Sequence, residues 1–399
     1  MTSARVDRFT TAYPNVKLRF SAGGFDAQSF LAALGGPDRP DVVRIPRDRL
    51  GTYVARGALE PLDNCIGQTG TDMSNFYDAA MKQVTIDGKV YGMPEFYWVT
   101  NWLIDTDLFK QAGLNPATWN VGDWNQIKTA NDSLLNKTRT KVAIDPRVSV
   151  DGDRFPMWVA AAGGQMLSDD GKESKLDTSE VADALNFTKS LIDAQGGLTR
   201  FTSALSQTGN FLSGDEFKKS LEAAFPMQQW YLDVLAGAAP KTRFTVRPFL
   251  GKSGQPITFE EGDSLSIVAT SDNKDAACAF VTSMVSADTW IAAAMQRQQE
   301  AISSKRIQTG SVTGNRAADR QIFSTTVDLS RNRTFASAVD TFNSTLDHAF
   351  GMPATPGAEE FRQAWVDAVN SVLAGDKDAQ TALQQADQRA QAAIDSGVP

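Results

Sequence analysis

The stretch from Asp87 to Leu114, DGKVYGMPEFYWVTNWLIDTDLFKQAGL, constrains the fold more than any other part of this 399-residue chain. Asp87-Gly88 is a turn signal, because both residue types tolerate positive φ. An extended run follows, carrying Tyr91, Phe96, Tyr97, Trp98 and Trp102. Asp105 and Asp107 then begin a short helix, DLFKQAG, which Gly113 closes. So many aromatics on one strand must either sit in a core or line a cleft.

A chain of this length exceeds one ordinary core, so two domains are expected. A composition of 42% hydrophobic and 22% charged residues is that of a globular protein. The net charge of −8 argues against a nucleic-acid partner, which needs a basic face. The basic clusters at Arg44–Arg49 and Arg316–Arg333 are short and interrupted. No apolar run reaches the length of a membrane span. Two cysteines, Cys65 and Cys278, are too few for a disulfide framework. Cys278 lies in the apolar helical stretch DAACAFVTSMV and reads as a buried free thiol, with a bridge to Cys65 left open.

Strand and helix patterns alternate along the chain. TSARVDRFTTAY (2–13) places Val6, Phe9 and Tyr13 on one helical face before Pro14. VKLRFSAGG (16–24) alternates like a strand, SFLAALGG is a glycine-closed helix, and DVVRIP (41–46) is a strand too apolar for an edge. The pattern predicts an α/β lobe with a largely parallel sheet. Beyond the opening stretch come a helix started by Asp123, the strand TKVAIDPRVS, and the helix RFPMWVAAAGG. A hairpin turns at Asp170-Gly171, and a helix capped at Thr178 or Ser179 follows. SLEAAFPMQQW, FTVRPF and ITFEEGDSLSIVAT read as strands, and DAACAFVTSMVSADTWIAAAM as one long helix. From about Ser311 the chain reads as nearly all helical, with a surface helix at its end.

Enzyme chemistry lacks its parts. Gly262-Asp263-Ser264-Leu265 spells an esterase motif, but the single histidine, His348, has Thr345 where that family carries its Asp. One His and two separated Cys assemble no zinc site, and Met166 and Ser168 stand where a calcium loop wants carboxylates. Phosphate-binding glycine motifs are absent. No cofactor is expected.

The aromatics are more telling. Trp98, Trp158, Trp230 and Tyr231 each fall at a strand end or helix start, where α/β folds form their ligand crevice. Taken singly, each reads as core packing. Beside Glu95, Gln228, Gln229, Glu260, Glu261 and Asp263 they suit a sugar, whose C–H face stacks while its hydroxyls take directed hydrogen bonds. Cationic or peptidic solutes such as a polyamine are the alternative, with the same carboxylates as counter-ions. A serine hydrolase using Ser264 and His348 is the remote third.

The order of these segments resembles the extracellular solute-binding proteins of ABC importers, in particular the carbohydrate-binding, maltose-binding-protein-like family. The resemblance rests on RFTTAYPNVKLRF, RPDVVRI, LGTYVARGALEPLD, DGKVYGMP, DLFKQAGL, PATWNVGDW, GGQMLSDDGKESKLDTSEVADALNF and SIVATSDNKDAACAFVTSMVSADTW. It implies an α/β, two-lobed periplasmic-binding-protein-like fold with a central ligand cleft. One lobe would be 1–103 with 263–305 and the other 106–256 with 312–399, crossing near 103–105, 256–262 and 303–312. It also implies a bacterial, non-enzymatic monomer at the outer face of the cytoplasmic membrane or in the periplasm. That receptor would capture a mono- or oligosaccharide and deliver it to ABC permease subunits. Its ligand contacts, carried over by position, are Glu95, Phe96, Tyr97, Trp98, Trp158, Trp230, Tyr231, Glu260, Glu261 and Asp263, with Phe25 and Asp26 after the glycines. The family begins with a strand and an export signal ahead of its first helix. The resemblance therefore places both before Met1 and leaves lipid anchor or free secretion open.

Overall fold

The computed structural model describes residues 2–21, 23–149, 154–209 and 211–397. Its strands are β1 (Val42–Pro46), β2 (Thr85–Ile86), β3 (Lys89–Val90), β4 (Met93–Pro94), β5 (Trp98–Asp105), β6 (Val142–Ile144), β7 (Glu222–Gln228), β8 (Phe244–Arg247), β9 (Phe249–Leu250), β10 (Pro256–Glu261), β11 (Asp263–Ile267) and β12 (Ala349–Phe350). A small sheet has the order β1-β11-β4. A larger one has the order β12-β10-β5-β7-β6, with β8 beside β5 and β9 beside β10. Asp87 (φ 49°) and Gly88 (φ 77°) make the β2–β3 turn.

Each sheet carries its own helices and core. Phe9, Phe76, Met93, Ile267 and Val281 pack on the small sheet; Trp102, Phe109, Ile144, Trp158 and Val369 pack on the large one. This is the two-lobed α/β arrangement that the sequence implied. Local chemistry starts many of its helices. The Asp105 carboxylate accepts from the N–H groups of Asp107 and Leu108, and Asp123 caps Trp124–Lys137 in the same way.

Several expectations change. The ladders of the small sheet are antiparallel: β11 returns late in the chain and inserts between β1 and β4, running opposite to both. Among the described residues β1 pairs only with β11 and so sits at an edge, with Ile45 as its one buried side chain. Residues 16–21 form no ladder. The predicted long helix breaks at Ser286 into Lys274–Val285 and Ala287–Ser303, bent by 54°. Ser286 is extended, and its hydroxyl caps the second helix by accepting from the Thr289 N–H. Thr178 precedes Ser179–Ala194 without a side-chain cap. The final helix, Ala379–Ser396, buries Ala382, Leu383, Ala386, Ala390 and Ile394 in the large core instead of lying free on the surface. Cys65 and Cys278 are disulfide-bonded, with Cα atoms 5.6 Å apart. The helices Asp63–Thr69 and Lys274–Val285, distant in sequence, pack together, and that bridge replaces the free-thiol reading.

The chain passes from β4 in the small sheet to β5 in the large one through residues 95–97. It returns at Gly262, between β10 and β11. Helix Arg316–Thr325 packs through Ala318 and Ile322 on Trp290 and Ala294, while Arg333–Thr345 packs beside β8 through Phe335 and Phe244. Residues 326–332 connect these two helices.

Candidate functional site

Ladder partners share one face of a sheet. β5 pairs Trp98 with Glu261 and Val99 with Glu260 along one edge, and Thr100 with Gln228 along the other. Trp98, Glu261 and Gln228 therefore stand on one face, and Glu260 stands on the opposite one. Phe96 stacks on Trp98, with ring centroids 5.4 Å apart, and extends the first face towards the small sheet.

On that first face every carboxylate meets an arginine. The Arg154 Nη1 donates to Glu261 Oε2 at 2.5 Å, and Gln228 Nε2 donates to the same oxygen at 2.7 Å. Trp230 Nε1 donates to Gln228 Oε1, which leaves the half-buried indole beside this group. Arg44 lies 2.5 Å from the Asp263 carboxylate and 2.8 Å from Glu95, with its guanidinium carbon 5.2 Å from the Phe96 ring centre. Arg5, wholly buried, pairs with the other oxygen of Glu95 at 2.7 Å. Burial raises the Asp263 carboxyl above its usual range, and Arg44 opposes that shift.

The opposite face is closed. Arg47 and Glu260, both with no exposed area, form an ion pair. Arg47 also donates to Gln83 Oε1 at 2.9 Å and to the carbonyls of Phe96 (2.5 Å) and Asp263 (3.0 Å). It thereby ties both crossing segments together. Gly262 is required here, because a Cβ would lie 2.2 Å from the Phe96 carbonyl oxygen and 2.6 Å from the guanidinium. Burial pushes the Glu260 carboxyl up, while Arg47 draws it down.

The expected contacts thus divide. The structure brings Phe96, Trp98, Glu261 and Trp230 together, with Glu95 and Asp263 at one end. Trp158 stands apart from them, buried among Trp102, Trp124, Phe187 and Phe249, and its Nε1 donates to the Pro146 carbonyl at 2.8 Å. Tyr231 is buried too, donating to Glu216 at 2.7 Å and stacking on Phe211. Tyr97 stacks on Tyr77 at 4.2 Å and donates to the Leu346 carbonyl, on the Glu260 face. For these three, and for Glu260, the alternation of the strand or the packing of a helix turns the side chain inward. Phe25 packs on Phe30 and Tyr53, and exposed Asp26 caps Ala27–Ala33 by accepting from the Ser29 N–H.

The two lobes also meet at helix Leu50–Ala55. A Cβ on Gly51 would lie 2.1 Å from the Thr355 carbonyl oxygen. Tyr53 donates to Glu359 Oε1 at 2.8 Å, and the Glu359 N–H donates to Thr52 Oγ1 at 3.2 Å. Ser264 is buried in the β1–β11 ladder and donates to the Ile45 carbonyl, whereas His348 is exposed beyond Arg333–Thr345. Asp170 accepts from Ser168 within its hairpin.

Arg44, Arg47 and Arg154 escaped the sequence reading, which weighed the first two only as a nucleic-acid stripe. Their signal was indirect: carboxylates on an aromatic strand near a core demand cationic partners.

Residues 4–315 match the family model described as bacterial extracellular solute-binding protein. The fold is similar to that of an ABC substrate-binding protein from Listeria monocytogenes solved with cycloalternan, at a TM-score of 0.77 and 20% identity over 100% of this chain and 96% of that one. The GacH receptor of Streptomyces glaucescens, solved unliganded and with acarbose, gives 0.75 and 20%, covering 98% and 94%. UgpB of Mycobacterium tuberculosis, solved with glycerophosphocholine, gives 0.74 and 20% over the same shares. At this identity the likenesses speak for the fold.

Proposed function

The chain belongs to the bacterial extracellular solute-binding proteins, and on that premise we propose that it captures a neutral mono- or oligosaccharide by closure of its two lobes. The closed, loaded form then delivers the sugar to the membrane permease of an ABC importer. The receptor itself performs no chemistry. Its residence outside the cytoplasm accords with the Cys65–Cys278 disulfide, which suits an oxidising compartment.

One observation carries the reading: aromatic faces at Phe96, Trp98 and Trp230 stand beside carboxylates whose charge an arginine already balances. A neutral polyol can stack on such faces and bond to the oriented carboxylates and guanidinium groups without an uncompensated charge. A polyamine would have to displace Arg44 or Arg154 to find a free counter-ion. Cycloalternan and acarbose in the similar proteins favour the sugar further.

The contact set proposed is Phe96, Trp98, Arg154, Gln228, Trp230 and Glu261, with Arg44, Glu95 and Asp263 at the small-sheet end. The lobes divide at 95–97, Gly262 and 326–332, and the Gly51–Glu359 seam belongs to the closed state. A thermal-shift panel of neutral sugars, spermidine and glycerophosphocholine tests the ligand class, since a ligand of the folded state raises the melting point. Sugars should give the shift, nearly independent of salt. A shift by spermidine alone, lost at high ionic strength, would reverse the assignment.

A further inference from the structure

Arg154, Glu261, Gln228 and Trp230 form a hydrogen-bonded series whose direction is dictated by chemistry. A guanidinium only donates, a carboxylate only accepts, and an indole N–H only donates. Glu261 Oε2 already takes the Arg154 Nη1 and so faces the amide nitrogen of Gln228, at 2.7 Å. That fixes which way the Gln228 amide is turned and aims its oxygen at Trp230 Nε1. The reverse amide orientation would set oxygen against carboxylate and N–H against N–H. Gln228 and Arg154 are more than nine-tenths buried, so water is a poor substitute for a lost partner.

We infer that Glu261 and Gln228 are positioning residues that preset the Trp230 ring for stacking, a deepening that rests on the sugar reading above. Trp230 lies two residues past the end of β7 and immediately precedes helix Tyr231–Ala238. Phe211 and Tyr231 meet it edge to face, at centroid distances of 6.2 and 6.0 Å, and these contacts limit its position more than its rotation. The Gln228 oxygen selects one rotation and occupies the single indole N–H. What remains for the ligand is the ring face, so recognition at this point reads the apolar C–H face of a sugar and not its hydroxyl configuration. Glu261 ends β10, the strand that runs directly into the Gly262 crossing. The orientation of the stacking ring is thus built from the hinge.

The test uses the ligand-free protein with 15N-labelled indole groups, and the Trp230 signal is identified by its loss in Trp230→Phe. In the parent this N–H should be downfield and slow to exchange with solvent. Gln228→Leu should move it upfield and speed exchange at least tenfold, with the melting transition still cooperative. Glu261→Leu should also shift or broaden it, by freeing the Gln228 amide to turn. Glu261→Gln, which still offers an oxygen to Gln228, should restore the parent signal. An unchanged Trp230 signal in Gln228→Leu would overturn the hydrogen bond, and one in Glu261→Leu would overturn the role of Glu261. Titration with maltotriose and mannobiose completes the test: Gln228→Leu should bind whichever sugar the parent binds about tenfold more weakly. A shifted signal with unaltered affinity would reduce the series to a structural contact. A parent that binds neither sugar counts against the sugar reading, while the indole spectrum still decides the series.

Discussion

Glu260 and Glu261 are chain neighbours, each paired with an arginine, yet they lie on opposite faces of one strand and have different fates. Glu260 and Arg47 have no exposed side-chain area, whereas Glu261 keeps 31% and Arg154 5%. Desolvation makes the sealed pair a poor source of net stability, since the Coulomb gain largely offsets what burial costs. Its value lies in geometry: one guanidinium holds Phe96, Asp263, Gln83 and Glu260 at the crossing. The half-open pair instead offers oriented polar atoms beside aromatic faces. Identical chemistry makes a joint on one side of the strand and the proposed binding surface on the other.

The hardest test of that contrast is Arg47→Ala. It leaves Glu260 buried without its partner and should destabilise the fold by about 3–5 kcal/mol, read from the denaturant midpoint. Arg154→Ala should cost well under half as much; equal losses would erase the difference between the faces. Trp230→Ala acts on the other side of the comparison. It should weaken sugar binding by about 1–3 kcal/mol with little change in melting temperature. A loss of stability with unaltered affinity would return Trp230 to the core.

Gly51→Ala examines the seam between the lobes, where the new Cβ would fall 2.1 Å from the Thr355 carbonyl oxygen. The lobes would have to part there, so affinity should drop about tenfold, or ~1.4 kcal/mol, by calorimetry. Undiminished binding would remove this seam from the closed state.

A separate effect is one of pH, at a carboxylate held by hydrogen bonds. Asp319 is buried near the first crossing, accepting from the Thr313 N–H at 2.8 Å and the Tyr77 O–H at 2.9 Å. Desolvation pushes its carboxyl up to about 7 from an ordinary 3.8. The folded protein therefore keeps a proton that the unfolded chain has released, and stability declines as pH rises between those values. Asp319→Asn should remove that part of the decline. Its stability relative to the parent should grow from about pH 4 to 7 and then level off. A flat difference would mean that Asp319 is ionised in the folded state throughout.

Much of the proposed site was legible because its markers are chemical. Aromatics at strand ends beside acids and amides singled out Trp98, Trp230 and Glu261. The same markers also selected Trp158, Tyr231 and Tyr97, since a tryptophan at a helix start looks alike whether its ring faces solvent or core. Arg154 and Arg47 carried no local mark. Their significance comes from carboxylates more than a hundred positions away along the chain.

The sequence by itself determined the features that depend on a few adjacent residues. These include the Asp87-Gly88 turn, the Asp105 and Asp123 caps, and the family. Such signals survive because backbone dihedrals and capping bonds act within about one turn of chain. Only the tertiary structure decided which of two adjacent glutamates was sealed, that β1 lay at an edge, that one long helix would bend at Ser286, and that Cys65 would meet Cys278 across 213 positions. Each depends on register and packing between segments far apart in sequence. In a strand of period two, a shift of one residue would exchange the joint for the proposed binding surface.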